Sequence, residues 1–332
     1  MYFKRLFYML LFSGCSFNSL FAQNIQSKES QTGIDFVSKG NVLLTYHTAM
    51  TDVPAGVKEA FRKSGFIHPL KSPSGQVLTR IQPPDHYHHY GIWGPWTRTI
   101  VQGREVDFWN LGDGTGRVDF NRVISRTTQN DFAAVTVRQD HIDLKAPGGA
   151  QVAIEEDLTI RVGEVKDKRY SIDYQTVIST PLGSPVVLEA YRYGGGIGFR
   201  ATERWGTDNS RVLTSEGHDR KTADGSFAKW VMVSGESDDP SGQSGILFLS
   251  HPQNRAHPEP MRVWPEDQYE GKGNVFVEFC PIRHEAWEIQ PGQKQVLTYR
   301  MIVFDGSLSA KEAEAYWQDF AALPQTITQQ QP

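Results

Sequence analysis

The sequence is poor in cysteine, in any excess of one charge, and in long apolar runs. Two cysteines in 332 residues exclude a disulfide-stapled scaffold. Lys and Arg number 34 against 38 Asp and Glu, so the formal net charge is only −4, which argues against a dedicated nucleic-acid binder. Beyond the N-terminus, no apolar run approaches the roughly 20 residues of a membrane-spanning helix. We therefore expect a globular protein with no integral membrane segment in its mature chain.

The first 22 residues have the layout of a secretory signal peptide. Lys4 and Arg5 precede a mostly apolar stretch, and Ala22 stands directly before a polar segment. We expect cleavage after Ala22 and export to the periplasm or the medium. Lipidation at Cys15 and an uncleaved anchor are the alternatives. Cleavage leaves Cys280 as the one thiol of the mature chain, and its apolar neighbours predict a buried cysteine rather than a catalytic one.

Apolar and polar residues alternate with period two along much of the body. Apolar residues occupy five of the six even positions from 152 to 162, and apolar or aromatic residues occupy four of the five even positions from 170 to 178. Strands with one buried and one wet face are typical of antiparallel sheets. We predict an all-β fold, a large antiparallel β-sandwich that forms a single domain over residues 23–324. A short C-terminal helix capped by Ser309 is expected, with a disordered tail over residues 325–332.

Residues with chemical potential concentrate in one segment. Asp85, His86, His88 and His89 lie together, directly after two prolines. Imidazoles carry protons near neutral pH and are common metal ligands. The prolines disfavour a helix, so a metal motif with ligands one helical turn apart is not predicted. The cluster predicts a general acid/base site or a divalent-metal site with these four residues as candidate ligands. Structural packing of the rings is the alternative.

Other polar and aromatic residues are expected to complete a cleft. Arg192 and Arg200 offer guanidinium groups, which suit the carboxylate of a uronate. Asp107 and Glu216 form the best available pair of carboxylates for glycoside hydrolysis. Large aromatic rings stack on sugars, although their usual place is the core. The further candidates for the same cleft are Tyr90, Trp93, Trp109, Lys229, His251 and His257.

Two segments give the sequence a resemblance to a known family. The stretch DHYHHYGIW at 85–93, followed by VDFW at 106–109, resembles the signature of the bacterial DUF6807 family, commonly labelled "methane oxygenase PmoA". The resemblance extends over about residues 60–305, and one departure is Tyr90, where many members have Arg. The label does not fit, because a particulate methane oxygenase subunit carries long apolar membrane helices that this chain lacks. The resemblance instead implies a secreted β-sandwich protein encoded alongside saccharide-degrading genes.

Three functions are compatible with these residues, and each has an oligosaccharide as its partner. The first is a carbohydrate lyase or dehydratase acting on a uronate. There His88 or His89 removes a proton, His251 or Tyr90 protonates the leaving oxygen, and the two arginines hold the carboxylate. The second is a glycoside hydrolase that uses the carboxylates Asp107 and Glu216. The third is a non-catalytic saccharide-binding protein. Substrate contacts are expected from Asp85, His86, Trp93, Asp107, Trp109, Arg192, Arg200, Lys229 and His257.

Overall fold

The computed structural model describes residues 24–271 and 273–325. Strands account for 47% of the chain and helices for 6%, which confirms the predicted all-β class. The strands in the described residues are β1 Ile25–Glu29, β2 Gly33–Ser38, β3 Asn41–His47, β4 Phe66–Leu70, β5 Ile92–Trp93, β6 Thr99–Val101, β7 Arg104–Val106, β8 Gly116–Thr128, β9 Phe132–Asp143, β10 Gln151–Gly163, β11 Arg169–Ser179, β12 Val186–Leu188, β13 Ile197–Arg200, β14 Ser210–Thr214, β15 Phe227–Ala228, β16 Trp230–Glu236, β17 Gln243–Ser250, β18 Glu259–Val263, β19 Phe276–Phe279, β20 Trp287–Ile289 and β21 Gln295–Asp305. The helices are a 3-10 turn at Glu59–Phe61, α1 Gln268–Gly271 and α2 Ala310–Ala321.

The strands form three antiparallel sheets. The largest has nine strands in the order β1-β2-β3-β4-β5-β13-β19-β18-β15. The second has eight strands in the order β14-β16-β17-β21-β11-β10-β9-β8, and the third has four in the order β20-β12-β6-β7. One apolar core joins all three, since Phe36, Ile160 and Val186 of the respective sheets belong to the same buried cluster. The fold is therefore an antiparallel sandwich, as the alternating sequence pattern predicted.

Strand β10 shows how the alternating pattern produces the sandwich. Ile154, Leu158, Ile160 and Val162 are buried, whereas most of the polar residues between them are only half-buried. The register with β9 shifts between residues 152 and 154, which leaves Val152 half-buried. A bulge of this kind moves the following side chains relative to the sheet face, so strict alternation fails at that point.

Helix α2 covers the outer face of the eight-stranded sheet. Ser309 and Glu312 form a reciprocal capping box at its start, as the sequence predicted. Phe320 packs against alternate residues of the sheet in an apolar cluster that includes Trp230 and Leu249. The central strands of this sheet are consequently apolar on both faces. The helix continues to Ala321, past the last residue that the sequence pattern supported, because Phe320 in its last turn is buried against the sheet.

Several expectations concern the ends of the chain. The predicted signal peptide, residues 1–22, and positions 326–332 of the predicted tail lie outside the described residues. The carbonyl oxygen of Gln325, the first residue of the predicted tail, accepts hydrogen bonds from Gln175 Nε2 at 2.5 Å and Thr298 Oγ1 at 2.8 Å. Over the ranges that the structure describes, no helix has the length and apolar character needed to cross a bilayer. Cys280 is fully buried, as predicted.

Candidate active site

A tight loop brings the three histidines of the 85–89 segment together. The amide of His86 donates to the carbonyl of Pro83 at 2.9 Å, and the amide of His89 donates to the carbonyl of His86 at 3.0 Å. The amide of Gln82 closes the loop on the carbonyl of His89 at 2.8 Å. These two successive turns bring the three rings together, whereas in an extended strand His89 would face away from His86 and His88. One ring nitrogen from each imidazole lies within 4.8 Å of the others.

The three imidazoles line a cavity of about 80 Å³. This volume is far below the roughly 300–1,000 Å³ of sites that enclose a drug-sized ligand, so the cavity is too small to enclose a whole oligosaccharide. The lining includes arginine and aromatic side chains but no carboxylate. Its residues are His86, His88, His89, Trp109, Asn110, Arg192, Tyr193, Arg262, Trp264, Tyr269 and Phe276.

A buried ion pair supports the loop from behind. Arg200 is 1% exposed, and its Nη2 lies 2.7 Å from Asp85 Oδ2. The same carboxylate oxygen lies 3.0 Å from His86 Nδ1. Burial opposes ionisation of Asp85, but the hydrogen bond to His86 and the charge of Arg200 hold its pKa below the usual range. Because an ionised carboxylate only accepts hydrogen bonds, His86 carries a hydrogen on Nδ1 and turns Nε2 away from Asp85.

The neighbouring arginine also determines which nitrogen of His89 carries its hydrogen. Arg200 Nη1 lies 3.4 Å from His89 Nδ1, and a guanidinium group only donates. His89 Nδ1 is therefore the acceptor, and the hydrogen of the neutral ring sits on Nε2. Burial, together with the nearby His88 and Arg200, lowers the pKa of His89 well below its ordinary value. His89 is thus a neutral hydrogen-bond donor at Nε2.

His88 has the least constrained ring of the three. It is half-buried, and no hydrogen bond joins its ring to any other residue that the structure describes. Burial is the largest cause lowering the pKa of His88 to about 3, and the positive potential of His86 and Arg200 adds to it. The ring is neutral at pH 7 and holds a free lone pair. The lone pair of His88 is therefore open to the cavity.

The imidazole cluster is only a partial fit to a metal ion. A zinc–nitrogen bond of about 2.1 Å allows two ligand nitrogens to lie at most about 4.2 Å apart, and the widest pair here reaches 4.8 Å. The lone pair of His89 Nδ1 already faces Arg200. Asp85, a candidate ligand from the sequence, is engaged with Arg200 and His86. To bind a metal ion, the rings of His86, His88 and His89 would have to move closer together. His89 would also have to move its hydrogen from Nε2 to Nδ1, which faces Arg200.

Comparison with known proteins assigns the chain to a family. A model described as a family of unknown function, DUF6807, matches residues 33–318. The chain belongs to the DUF6807 family. The match begins in β2 and ends in α2, so it includes the histidine loop, most of the nine-stranded sheet and the whole of the eight-stranded sheet. No curated protein matches the sequence.

Solved structures similar to this DUF6807 protein are distant. The heparan sulfate lyase HepC from Pedobacter heparinus is 9% identical at a TM-score of 0.34, with 86% of this chain and 37% of that chain covered. The GalM/aldose epimerase homologue from C. elegans is 8% identical at 0.35, with coverages of 84% and 98%. A TPR-domain containing protein from Parabacteroides distasonis is 12% identical at 0.34, covering 86% and 48%. The chain spans little more than a third of the lyase, and scores this low carry no functional argument.

The structure brings several of the sequence-predicted residues to the cavity. Trp109 and Arg192 line it beside the histidines. Trp93 lies beneath, with its ring centroid 4.8 Å from that of Trp109 and 5.0 Å from that of His89. Asp85 and Arg200 form the ion pair behind the loop rather than direct cavity wall. Their position suits them to orient His86 and His89, not to touch a ligand as the sequence suggested.

Tyr90 and Asp107 have structural partners that take up their polar groups. The Tyr90 hydroxyl donates to the carbonyl of Phe61 and accepts from Gln82, and the side chain is fully buried. Burial raises the pKa of Tyr90 to about 12. Asp107 Oδ1 accepts the backbone amides of Trp109 and Asn110, both at 2.8 Å. Neither residue lines the cavity, so the structure does not place them where the predicted acid or sugar contact is needed.

The other four candidates lie away from the cavity lining. Glu216 is exposed in the turn after β14 and bonds Ser215. His251 donates from Nε2 to the carbonyl of Leu323 at 3.0 Å, just beyond α2. His257 stacks on Trp317 of α2, and Lys229 pairs with Glu314 of the same helix at 2.9 Å. The predicted meeting of these residues with the histidine loop does not occur, because three of them instead contact α2 or the segment that follows it.

Part of the cavity wall was not singled out from the sequence. Arg262 and Trp264 follow one another with period two at the end of β18, so both side chains project to the same face. Tyr269 of α1 also lines the cavity, and its ring centroid lies 4.4 Å from that of Trp264. The alternation of an arginine with a tryptophan was the available signal. That alternation does not by itself indicate a cavity. The cavity arises because β18 lies beside β19, whose Phe276 also lines it.

Proposed function

We propose that this DUF6807 protein is an exported carbohydrate-active enzyme of the lyase or dehydratase type, acting on uronate-containing oligosaccharides. The observation that carries the proposal is the set of groups around one small cavity. Three imidazoles converge there, Arg192 stands at the rim, and no carboxylate belongs to the lining. Arg192 is exposed and forms no ion pair with the described part of the chain, so its charge is available to an anionic ligand.

The reaction is a β-elimination, and these groups are sufficient to balance it. A base takes the proton from the carbon beside the uronate carboxylate. The electron pair of that C–H bond forms a carbon–carbon double bond, and the bond from the neighbouring carbon to the leaving oxygen breaks. The leaving oxygen then takes a proton. Neither water nor an oxidant is consumed, which suits a small cavity with neutral proton-carrying groups.

His88 is the proposed base. A base with a pKa of about 3 holds a proton weakly, but that value belongs to the empty cavity. A bound carboxylate within about 4–6 Å favours the protonated imidazole and raises its pKa. The substrate therefore strengthens the base that attacks it. His89 Nε2–H and Arg192 are the proposed donors to the negative charge that develops on the substrate carboxylate.

Tyr269 is the proposed acid for the leaving oxygen, in place of Tyr90 or His251. Its ring lies on the cavity wall and 37% of the residue is exposed. Its hydroxyl has no hydrogen bond to another described residue, so it is free to face the leaving group. By contrast, the hydroxyl of Tyr90 is held between Phe61 and Gln82.

The glycoside hydrolase alternative is not supported, because its two candidate carboxylates do not line the cavity. The carboxylate of Asp107 accepts hydrogen bonds from the backbone amides of residues 109 and 110, and Glu216 is exposed elsewhere on the surface. Non-catalytic saccharide binding has one observation in its favour, because the walls contain Trp109, Tyr193 and Trp264 as stacking rings. Binding without product formation would identify that alternative.

The direct test is to incubate the chain with oligosaccharides containing galacturonate or glucuronate and to record the ultraviolet absorbance of the conjugated product. We expect His88→Ala and His88→Gln to lower kcat by about 100-fold or more. His218→Ala, which alters a histidine outside the cavity lining, is the matched control and should retain full activity. Equal activity of the His88 variants and the wild type would refute the assigned base. An absence of product with every uronate substrate would refute the reaction class.

A further inference from the structure

An exposed aromatic pair lies at the edge of the nine-stranded sheet. Phe227, on the edge strand β15, is 50% exposed. Its ring packs on the exposed ring of His284, with centroids 5.5 Å apart and planes at 35°. We call Phe227 and His284 the aromatic platform. The two rings together present a flat aromatic surface to solvent, so the pair is a candidate surface for stacking.

A network of ion pairs joins the aromatic platform to the cavity. Asp224 Oδ2 lies 2.9 Å from Nη1 of Arg262, which lines the cavity. Asp224 Oδ1 lies 3.1 Å from Nη1 of Arg283, the residue before His284. The same Arg283 nitrogen donates to the carbonyl of Arg192 at 3.0 Å. Arg283, the residue before His284 in the chain, therefore contacts the backbone of the proposed carboxylate-binding arginine.

The dimensions of the cavity require a second contact surface for an oligosaccharide. About 80 Å³ accommodates the terminal group of the ligand, and the following sugars must cross the rim. Arg192 marks the rim, and Arg283 leads from it towards His284. Aromatic rings bind the apolar C–H face of a sugar ring, whereas a charged side chain binds its carboxylate. Phe227 on β15 pairs with the residue two positions before Arg262 on β18, so the side chains of Phe227 and Arg262 project to the same face of the sheet.

We propose that the aromatic platform is a sugar subsite that stacks on a ring next to the uronate held in the cavity. The inference rests on the proposed function, since it takes the cavity as the place of the uronate. It goes further in assigning the neighbouring sugar to a named surface outside the cavity. The protein should bind a tetrasaccharide more tightly than a monosaccharide, with the difference arising at Phe227.

Calorimetric titration with uronate saccharides of one, two and four sugars tests the inference. In the wild type, we expect affinity to rise with length. Phe227→Ala should weaken tetrasaccharide binding between about twofold and tenfold and leave monosaccharide binding unchanged. Phe227→Tyr keeps an exposed ring and should retain the wild-type affinity. Ile124→Ala, at another exposed apolar side chain on β8, is the control and should change neither affinity.

Each remaining outcome has a distinct meaning. Length-dependent binding that Phe227→Ala leaves intact overturns the subsite but not the proposed function. Binding of no uronate saccharide at any length contradicts the proposed function and the subsite with it. A change from dimer to monomer in Phe227→Ala, measured by sedimentation, would show that a second copy of the chain covers the platform and would overturn the sugar subsite. Circular dichroism of each variant confirms that the fold is intact.

Discussion

Arg200 and Asp85 form an ion pair behind the histidine loop, with Arg200 Nη2 at 2.7 Å and 3.0 Å from the two carboxylate oxygens. Arg200 is 1% exposed, and its guanidinium carbon also lies 4.7 Å from the ring centroid of Trp264. The pair links β13 to the loop and gives His86 and His89 their orientations. The loop has few other side-chain anchors of this kind, so the pair should be important for stability.

Removal of one partner of this pair should destabilise the protein strongly. We expect Arg200→Met to lower the free energy of unfolding by about 3–5 kcal/mol, because Asp85 then keeps a largely buried charge without its partner. Adding Asp85→Asn should recover part of the loss, since the uncompensated charge is gone. Urea denaturation of the two single variants and the double variant measures the coupling. Additive effects of the two substitutions would show that the pair does not act as a unit.

His251 should affect stability and not catalysis. Its ring joins the chain after α2 to the sheet, through Leu323 and the ring of Phe320. We expect His251→Ala to lower the free energy of unfolding by about 1–3 kcal/mol, from a lost hydrogen bond and a small cavity. The kcat on a uronate substrate should change less than twofold. A kcat loss comparable to that of His88→Ala, in protein shown to be folded, would restore His251 to the site.

Glu259 should make stability fall as the pH rises through neutrality. It is fully buried, and burial raises its pKa to about 7 despite hydrogen bonds from Ser250, Asn254 and Tyr299. The folded state therefore holds a proton that the unfolded state has released above about pH 4.5. This contribution to stability is complete below pH 4.5 and is lost as the pH approaches and passes 7.

The isosteric variant Glu259→Gln isolates that contribution. Between pH 5 and pH 8, the wild type should lose about 2 kcal/mol of unfolding free energy relative to Glu259→Gln. The measured quantity is the difference in unfolding free energy between the two proteins, because His88 also titrates in both of them. The lowered pKa of His88 has the opposite effect on stability: below about pH 6.5 the unfolded state binds a proton that the folded state does not, and this destabilises the fold. Parallel stability curves for wild type and variant would contradict the assignment of a titrating Glu259.

Metal removal should leave activity on uronates intact. The spread of the imidazole nitrogens and the contact from Arg200 to His89 both oppose a tightly held ion. We expect dialysis against a chelator to change kcat less than twofold, and elemental analysis of protein without a polyhistidine tag to find far less than one metal per chain. Stoichiometric zinc or manganese that is lost in His88→Ala would instead show that the rings close around a metal.

The strand pattern and the helix cap were predictable because both depend on local sequence. Residues 152–162 alternate since one face of β10 is buried, and Ser309 caps α2 since its side chain and Glu312 satisfy the first amides of the helix. The importance of the 85–89 segment was also visible, as three imidazoles beside a carboxylate are rare in solvated loops. These properties are determined by neighbours along the chain.

The membership of the site depended on tertiary structure. His88 and His251 are the same residue type in loops of similar composition, but the first lies in a cavity under β18 and β19, whereas the second is held by the segment after α2. The sequence alone determined an all-β chain with a chemically distinctive histidine loop. Only the pairing of strands far apart in sequence, whose side-chain packing no local pattern encodes, decided that Arg262, Trp264 and Tyr269 line the cavity and that Glu216, Lys229 and His257 do not.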